Sequence, residues 1–215
     1  MDQDHTKPTD KCEFSLPAQM PVMVLTDCFL FPGCFLPLFI FEERYCKMLK
    51  HALATNRMFC VGTRLPRPEH EADVMMVSTA GLIRSCVTQA DGTSHLMLMG
   101  MQRIKLTGWV QEKPFRIATV EPLVTHEADQ QAVARLRDEA LQNIPPCPHE
   151  AAKAMESLSE QLRLCGDPEL ICDILIYHFV RRSPALRAAL SEGCLIKRYH
   201  LLIEELTRAK RGTGS

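Results

Sequence analysis

A chain of 215 residues with a net charge of −1, 46% hydrophobic and 24% charged residues, has a globular composition and room for one or two small domains. A charge so near neutral excludes wholesale capture of nucleic acid or an acidic membrane and leaves only a local patch for that purpose. Met1 to Glu13 is polar and holds no signal-peptide core, and no apolar run approaches the ~20 residues of a membrane span, so the cytoplasm is the expected location.

Residues 1–14 lack periodicity and read as a frayed arm. Met20 to Leu25 is a short apolar run suited to a strand, with Pro21 at its start. Phe31-Pro32-Gly33 is a turn signal, because Pro presets φ and Gly permits positive φ. Cys34 to Ile40 reads as a second strand, which Pro37 confines to a sheet edge or a bulge. If Phe41 is buried at the end of this run, Phe41→Ala costs ~3–5 kcal/mol.

From Glu42 to Leu53 the period changes to 3.6: Tyr45, Met48, Leu49, Ala52 and Leu53 share a helix face. Glu42 and Glu43 suit the helix start, by capping and by the macrodipole. Met58 to Arg64 is a strand, and 65–73 a polar, Pro-rich loop. Val74 to Gln89 follows, with Gly81 marking a bend or bulge. Asp91-Gly92 predicts a two-residue hairpin turn. Ser94 to Leu106 returns, with Gly100 as a further bulge and Ile104 and Leu106 alternating with Arg103 and Lys105 as in a half-buried strand. Trp109 to Lys113 reads as a connection and Phe115 to Leu123 as the last strand.

Beyond Val124 the texture is helical. Glu127–Leu141 turns Ala132, Val133, Leu136 and Ala140 to one face, and His149–Leu164 does so with Met155, Leu158 and Leu162. Asp167-Pro168 and Ser183-Pro184 are cap-then-Pro starts. Ile171, Ile174, Leu175, His178 and Phe179 form the next apolar face. The last helix, from about Ser191 to Ala209, turns Leu195, Tyr199, Leu202 and Leu206 inward. The segregation of strands and helices gives an α+β fold: an arm (1–14), a β-rich part (15–124), a helical part (125–210) and a tail (211–215).

Ten cysteines are many, but no C-x-x-C and no paired Cys/His cluster occurs. Cys34, Cys60, Cys86 and Cys172 sit beside apolar neighbours and read as buried free thiols of a reducing compartment. Cys147-Pro148-His149 lacks a second ligand pair. No P-loop, G-x-G-x-x-G, H-E-x-x-H or G-x-S-x-G motif is present. His95, within a strand, and His178, on an apolar helix face, read as hydrogen-bonded structural histidines. Arg181-Arg182 and the Arg208–Arg211 run suit solvated helix ends. No catalytic, metal-binding or cofactor-binding residue is expected.

Met20-Pro21-Val22-Met23-Val24-Leu25, Leu30-Phe31-Pro32-Gly33 and Leu36-Pro37-Leu38-Phe39-Ile40-Phe41-Glu42-Glu43-Arg44-Tyr45 together resemble the N-terminal substrate-binding domain of Lon proteases. The similarity continues through Gly81-Leu82-Ile83, Gly100-Met101-Gln102-Arg103 and Val120-Glu121-Pro122-Leu123, and more loosely through Asp167-Pro168-Glu169. The resemblance implies a PUA-like β-barrel followed by a helical bundle. It also implies binding of polypeptide substrates without ATPase or protease activity, since Ser215 comes before either module could begin. This is the pattern of stand-alone bacterial Lon-domain proteins.

The implied partner is an unfolded or degron-bearing polypeptide, or a protease served as an adaptor. The 11 Met residues and abundant Phe suit such binding, although the same side chains serve equally as core. An RNA-binding PUA-like module, disfavoured by the charge, and a small-molecule-binding regulatory protein remain alternatives. The candidate polypeptide contacts lie where the edge strand enters the helix: Phe31, Pro32, Phe39, Glu42, Arg44 and Tyr45. These residue types also build a barrel corner, and Glu42 or Arg44 could instead pin the helix to a loop.

Overall fold

The computed structural model describes residues 15–70, 73–126, 129–145 and 152–212. The elements are β1 (Gln19–Leu25), β2 (Phe35–Ile40), α1 (Glu43–Ala54), β3 (Met58–Thr63), β4 (Val77–Thr88), β5 (Ser94–Gln111), β6 (Arg116–Pro122), α2 (Gln130–Gln142), α3 (Ala152–Leu164), α4 (Pro168–Phe179), α5 (Ser183–Ser191) and α6 (Leu195–Gly212). The fold is α+β. Its sheet has the order β2-β5-β4-β3-β1-β6, and β6 also pairs with β5, so the sheet curls nearly into a ring. Among the pairings of these described strands, β1–β3 alone is parallel.

The length of β5 makes this closure possible. Its first half pairs with β2 from Ser94 to Met99, and its second half pairs with β6 from Ile104 to Gln111. β2 is therefore an edge strand outside the ring, as its Pro37 requires. The expected connection at Trp109–Lys113 is corrected: β5 runs through Trp109, which lies opposite Ala118. Register shifts at Leu106/Gly108 and Trp109/Gln111 break the alternation that marks a strand in sequence.

The Asp91-Gly92 hairpin is wider than a two-residue turn. Gln89 N donates to Thr93 O (2.8 Å) and Gly92 N to Gln89 O (3.0 Å), enclosing Ala90, Asp91 and Gly92. Gly92 has positive φ and Asp91 does not, as in a type I turn closed by one left-handed residue rather than a type I′ turn. The Asp91 carboxylate accepts from Thr93 N and Oγ1 and fixes that shape.

Helix α1 buries Tyr45, Met48, Leu49 and Ala52 against Met23, Phe59, Val61 and Ile83, at roughly 1.5–3 kcal/mol for each large apolar side chain. Tyr45 Oη accepts from Val24 N (3.2 Å) and donates to Val24 O (2.9 Å), tying α1 to β1. The helices form a core with the loop before β2: Phe29, Phe31 and Cys34 pack among Ile171, Leu175, Ile176, Leu190, Tyr199 and Leu202. Leu195, Tyr199, Leu202 and Leu206 of α6 are all buried, as their spacing predicts.

Three helix expectations change. Asp167 caps α4 through Glu169 N and Leu170 N, but the N-cap of α5 is Arg182, with no side-chain bond, because the helix already includes Ser183. Glu42 occupies the N-cap position of α1 without capping; its carboxylate is drawn to the Arg44 guanidinium instead (2.9 Å). His178 is exposed, because α4 turns Ile171, Cys172, Asp173, Leu175 and Ile176 inward.

Among the described cysteines, Cys34, Cys60 and Cys172 are buried, while Cys28, Cys46, Cys86, Cys165 and Cys194 are half-buried, and all eight are free. Burial pushes the Cys28 thiol up to about 11 and the Cys60 thiol to about 12, which leaves both protonated and unreactive near neutrality. Cys147, Pro148, His149 and the arm 1–14 lie outside the described residues, as do the Met155 side chain and Thr213–Ser215.

Candidate functional site

Side chains alternate along β2. Leu36, Leu38 and Ile40 point into the barrel, packing with Leu96 and Leu98, while Phe35, Pro37 and Phe39 face out. Opposite them on β5 stand Met99, Met97 and His95, and β4 adds Ser85 opposite Met97 and Val87 opposite His95. Residues paired across strands share a face, so these form one outward apolar surface. Phe35 is 49% exposed, Phe39 48%, Phe41 63% and Val87 67%. The rings form a ladder: His95 stacks on Phe39 at 4.6 Å, and Phe39 on Phe41 at 5.7 Å.

Phe41 is thus exposed, which removes the condition for a large stability loss on truncation. The strand ends at Ile40, and the Phe41 ring stacks on Phe39. His95 likewise is exposed and stacked on Phe39. A shallow groove of about 430 Å³ runs over Pro37, Phe39, Ser85, Val87, His95 and Met97. The free edge of β2 is blunted at two points: Pro37 has no N–H, and Phe35 O accepts from Tyr177 Oη of α4 (2.9 Å). The surface offers its face rather than its edge.

A second region lies between barrel and helices. Arg103, expected on the solvent side of a half-buried strand, is buried because α4 and α5 pack their residues against it. Its Nη2 donates to Asp173 Oδ1 (2.7 Å), its Nη1 to Asp173 Oδ2, and its Nε to Leu190 O (3.2 Å). Arg198 Nη1 shares Asp173 Oδ1 (2.9 Å), and its Nη2 reaches Glu169 Oε1 (2.8 Å) and Thr125 Oγ1 (2.9 Å).

Burial pushes the Asp173 carboxyl up despite its two guanidiniums. Burial also works to raise Glu169, but the Thr125 hydroxyl, Arg198 and Arg103 outweigh it and hold that carboxyl low. A cleft of about 530 Å³ above the network is lined by Pro32, Gly33, Gly100, Gln102, Thr125 and Leu170 among others. Its charged groups are already bonded to one another, which makes it a fastening more than an opening for a ligand.

A third region lies beside α1. A pocket of about 600 Å³ is lined by Val22, Val24, Arg44, Tyr45, Glu112, Lys113, Pro114, Phe115 and Arg116. Arg44 lies over the Tyr45 ring (4.6 Å) and Arg116 over Trp109 (5.6 Å).

The six candidate residues therefore occupy three places. Phe39 is on the exposed aromatic face. Arg44 and Tyr45 line the pocket beside α1, with Glu42 bonded to Arg44. Pro32 lines the cleft, and Phe31 is fully buried against Tyr177 and beneath Arg103, where it shapes the corner and offers no surface. Phe35, Phe41, Met97, His95 and Val87 were not anticipated as surface residues. The signal for Phe35 and Phe39 was their alternation with Leu36, Leu38 and Ile40 around an edge-marking Pro37. No group of three or more His, Cys, Asp or Glu poised for a metal occurs among the described residues, and no described helix is long and apolar enough to cross a membrane.

Residues 19–208 match the profile of the ATP-dependent protease La (LON) substrate-binding domain. The Lon protease of Trichlorobacter lovleyi is 29% identical over 150 residues, which are 65% of this chain and 18% of that protein. The Lon protease of Anaeromyxobacter dehalogenans is 25% identical over 155 residues, 67% and 18% of the two chains. Lon protease 2 of Myxococcus xanthus is 23% identical over 206 residues, 91% and 24%. The chain thus spans a minor part of the length of these relatives.

Among solved structures, the N-terminal domain of Mycobacterium avium complex Lon protease superposes with a TM-score of 0.69 at 15% identity, covering 88% of this chain and 98% of that one. A Lon N-terminal domain protein from Xanthomonas campestris gives 0.60 at 19% identity, covering 86% and 97%. These two structures share its fold.

Proposed function

The chain belongs to the LON substrate-binding domain family, and from that premise we propose that it is a non-catalytic polypeptide-binding module, whose docking surface is the exposed aromatic face of β2 and β5. Its ligand is an unfolded or degron-bearing polypeptide, held alone or on behalf of a protease. The observation that carries this reading is the Phe41–Phe39–His95 ladder, continued by Phe35, Met97 and Val87. Monomeric proteins seldom leave contiguous large apolar side chains in water without using them. Met97 and Met99 can adapt to varied partners, while the stacked rings supply rigid contact area.

The family match covers the substrate-binding domain alone, and the sequence holds no P-loop, so neither ATP hydrolysis nor proteolysis belongs to the proposal. Free thiols suit a reducing compartment, and the proposal places the protein in the cytoplasm. Stacked aromatics on a sheet can also receive nucleobases. The groove over the aromatic face is lined without any Lys or Arg among the described residues, which favours polypeptide over a phosphate backbone.

The test is fluorescence anisotropy with a labelled globular protein in its folded form and in its reduced, carboxymethylated, unfolded form. Binding of the unfolded form alone is expected, weakened at least about tenfold by Phe39→Ser with Phe41→Ser, as befits loss of aromatic anchors. Equal binding of both forms, or of neither, overturns the reading.

A further inference from the structure

The outward face of the sheet is laid out in rows. Phe39 of β2, His95 of β5 and Val87 of β4 stand side by side, and Pro37, Met97 and Ser85 form the next row. Phe35 and Met99 begin a third. Residues two apart on a strand are about 7 Å apart, so the rows recur at about that spacing. Two strand spacings of about 4.8 Å put β2 and β4 roughly 10 Å apart.

An extended polypeptide meets two obstacles here. Among the described residues β2 pairs with β5 alone. Cys34 O accepts from Gly100 N on the β5 side and Phe35 O from Tyr177 on the other, so by alternation the backbone groups of Phe35, Pro37 and Phe39 face the free edge. Pro37 lacks its N–H and Phe35 O is taken, so no two successive residues of that edge keep both groups. A chain laid flat on the face instead strips water from its own N–H and C=O groups. Of the side chains lining the groove only Ser85 and His95 are polar, and unpaired backbone groups against such a surface are costly.

A helix meets neither obstacle. Its backbone bonds close internally, and it docks through side chains alone. Its diameter of about 10 Å matches the span from β2 to β4. Residues i and i+4 are about 6 Å apart along its axis, close to the row spacing, so an apolar stripe at helical period addresses the rows in turn.

We infer that the aromatic face receives the apolar stripe of an amphipathic helix, formed as the segment binds. The inference rests on the polypeptide-binding reading and deepens it. Such a stripe is buried in a folded protein and released when that protein unfolds. The isolated helix is then marginal in water until its apolar side is covered again.

The experiment uses the 215-residue protein and two labelled peptides of identical composition, one with its apolar residues at helical spacing and one with them alternating. Anisotropy is expected to show the helical-period peptide bound on the order of tenfold tighter, and circular dichroism of the complex to show helix that the free peptide lacks. Phe39→Ser and Val87→Ser, both at exposed positions, each weaken that peptide several-fold. Tyr177→Phe, which frees Phe35 O and leaves the face unaltered, changes neither affinity.

Tighter binding of the alternating peptide, or its gain in Tyr177→Phe, indicates strand addition and overturns the helix while the polypeptide reading stands. Equal affinities, or binding without a helical signal, do the same. Binding that survives both serine substitutions overturns the face as the site, and both readings with it. If neither peptide binds while the reduced, carboxymethylated protein does, the helix alone is overturned; if that protein fails as well, both are.

Discussion

Arg103 of β5 and Asp173 of α4 form a bidentate guanidinium–carboxylate pair in which neither side chain reaches solvent. Arg198 of α6 bonds the same carboxylate, so one aspartate joins the barrel to two helices. Asp173→Asn leaves two buried guanidiniums without their shared anion and is expected to cost about 3–5 kcal/mol. Urea denaturation measures this as a lower midpoint at unchanged slope. Replacing Arg103, Asp173 and Arg198 together by Met, Leu and Leu is expected to cost less than the single change, because the only charge left without its partners, Glu169, is partly exposed. A single variant as stable as wild type counts against the network as a fastener.

Glu169 adds a pH dependence of known sign. Its carboxyl is held below its ordinary value by Thr125, Arg198 and Arg103 acting against burial. A carboxyl depressed in the folded state stabilises the fold above its unfolded pKa, and that contribution disappears as pH falls through the folded value. Thermal unfolding between neutrality and pH 3 should therefore show an acid loss that Glu169→Gln makes shallower. The effect is modest, since Glu169 is partly exposed and solvent screens it. An identical acid limb in both proteins would show that other carboxylates govern it.

The corner before β2 fits so closely that a single methyl tests it. Gly33 N donates to Gly100 O and Gly100 N to Cys34 O, both at 2.9 Å, and Gly33 has a positive φ of 74°. A Cβ on Gly100 would lie 2.1 Å from the carbonyl oxygen of Phe31, a backbone atom that cannot swing aside. Gly100→Ala is expected to destabilise by at least about 1–3 kcal/mol, while Gly92→Ala, with open space around its Cβ, loses only the roughly 1–2 kcal/mol of a left-handed backbone. Equal melting temperatures for wild type and Gly100→Ala would mean that the corner yields.

How far the sequence discloses this fold depends on whether a residue answers to local or distant neighbours. The corner, the edge strand, α1 and the Asp167 cap are local, and Pro32, Gly33, Pro37 and the 3.6 period disclose them. The burial of Arg103 and Asp173 is not local, because their partnership spans 70 positions and each alone looks like a surface charge. Trp109 was hidden by bulges that shift register without changing composition. The candidate site was half legible for the same reason. Alternation around Pro37 marks Phe35 and Phe39, whereas Met97, His95 and Val87 join them only through cross-strand pairing.

Phe31 and Phe41, ten positions apart in one aromatic-rich stretch, should respond oppositely to truncation. Phe31 is fully buried and Phe41 is 63% exposed. Phe31→Ala empties a core position and is expected to cost about 3–5 kcal/mol. Phe41→Ala removes a surface ring and is expected to stay within about 0.5 kcal/mol of wild type, less the small stacking term with Phe39. Binding of an unfolded polypeptide inverts the order at temperatures where both variants remain folded: Phe41→Ala weakens it several-fold, and Phe31→Ala leaves it near the wild-type value. Melting curves and anisotropy titrations on the same two preparations provide the comparison. Should Phe41→Ala lower the melting temperature as far as Phe31→Ala does, the ring is part of the core and the aromatic face loses its best-exposed member. Should it leave both stability and binding untouched, the polypeptide docks elsewhere.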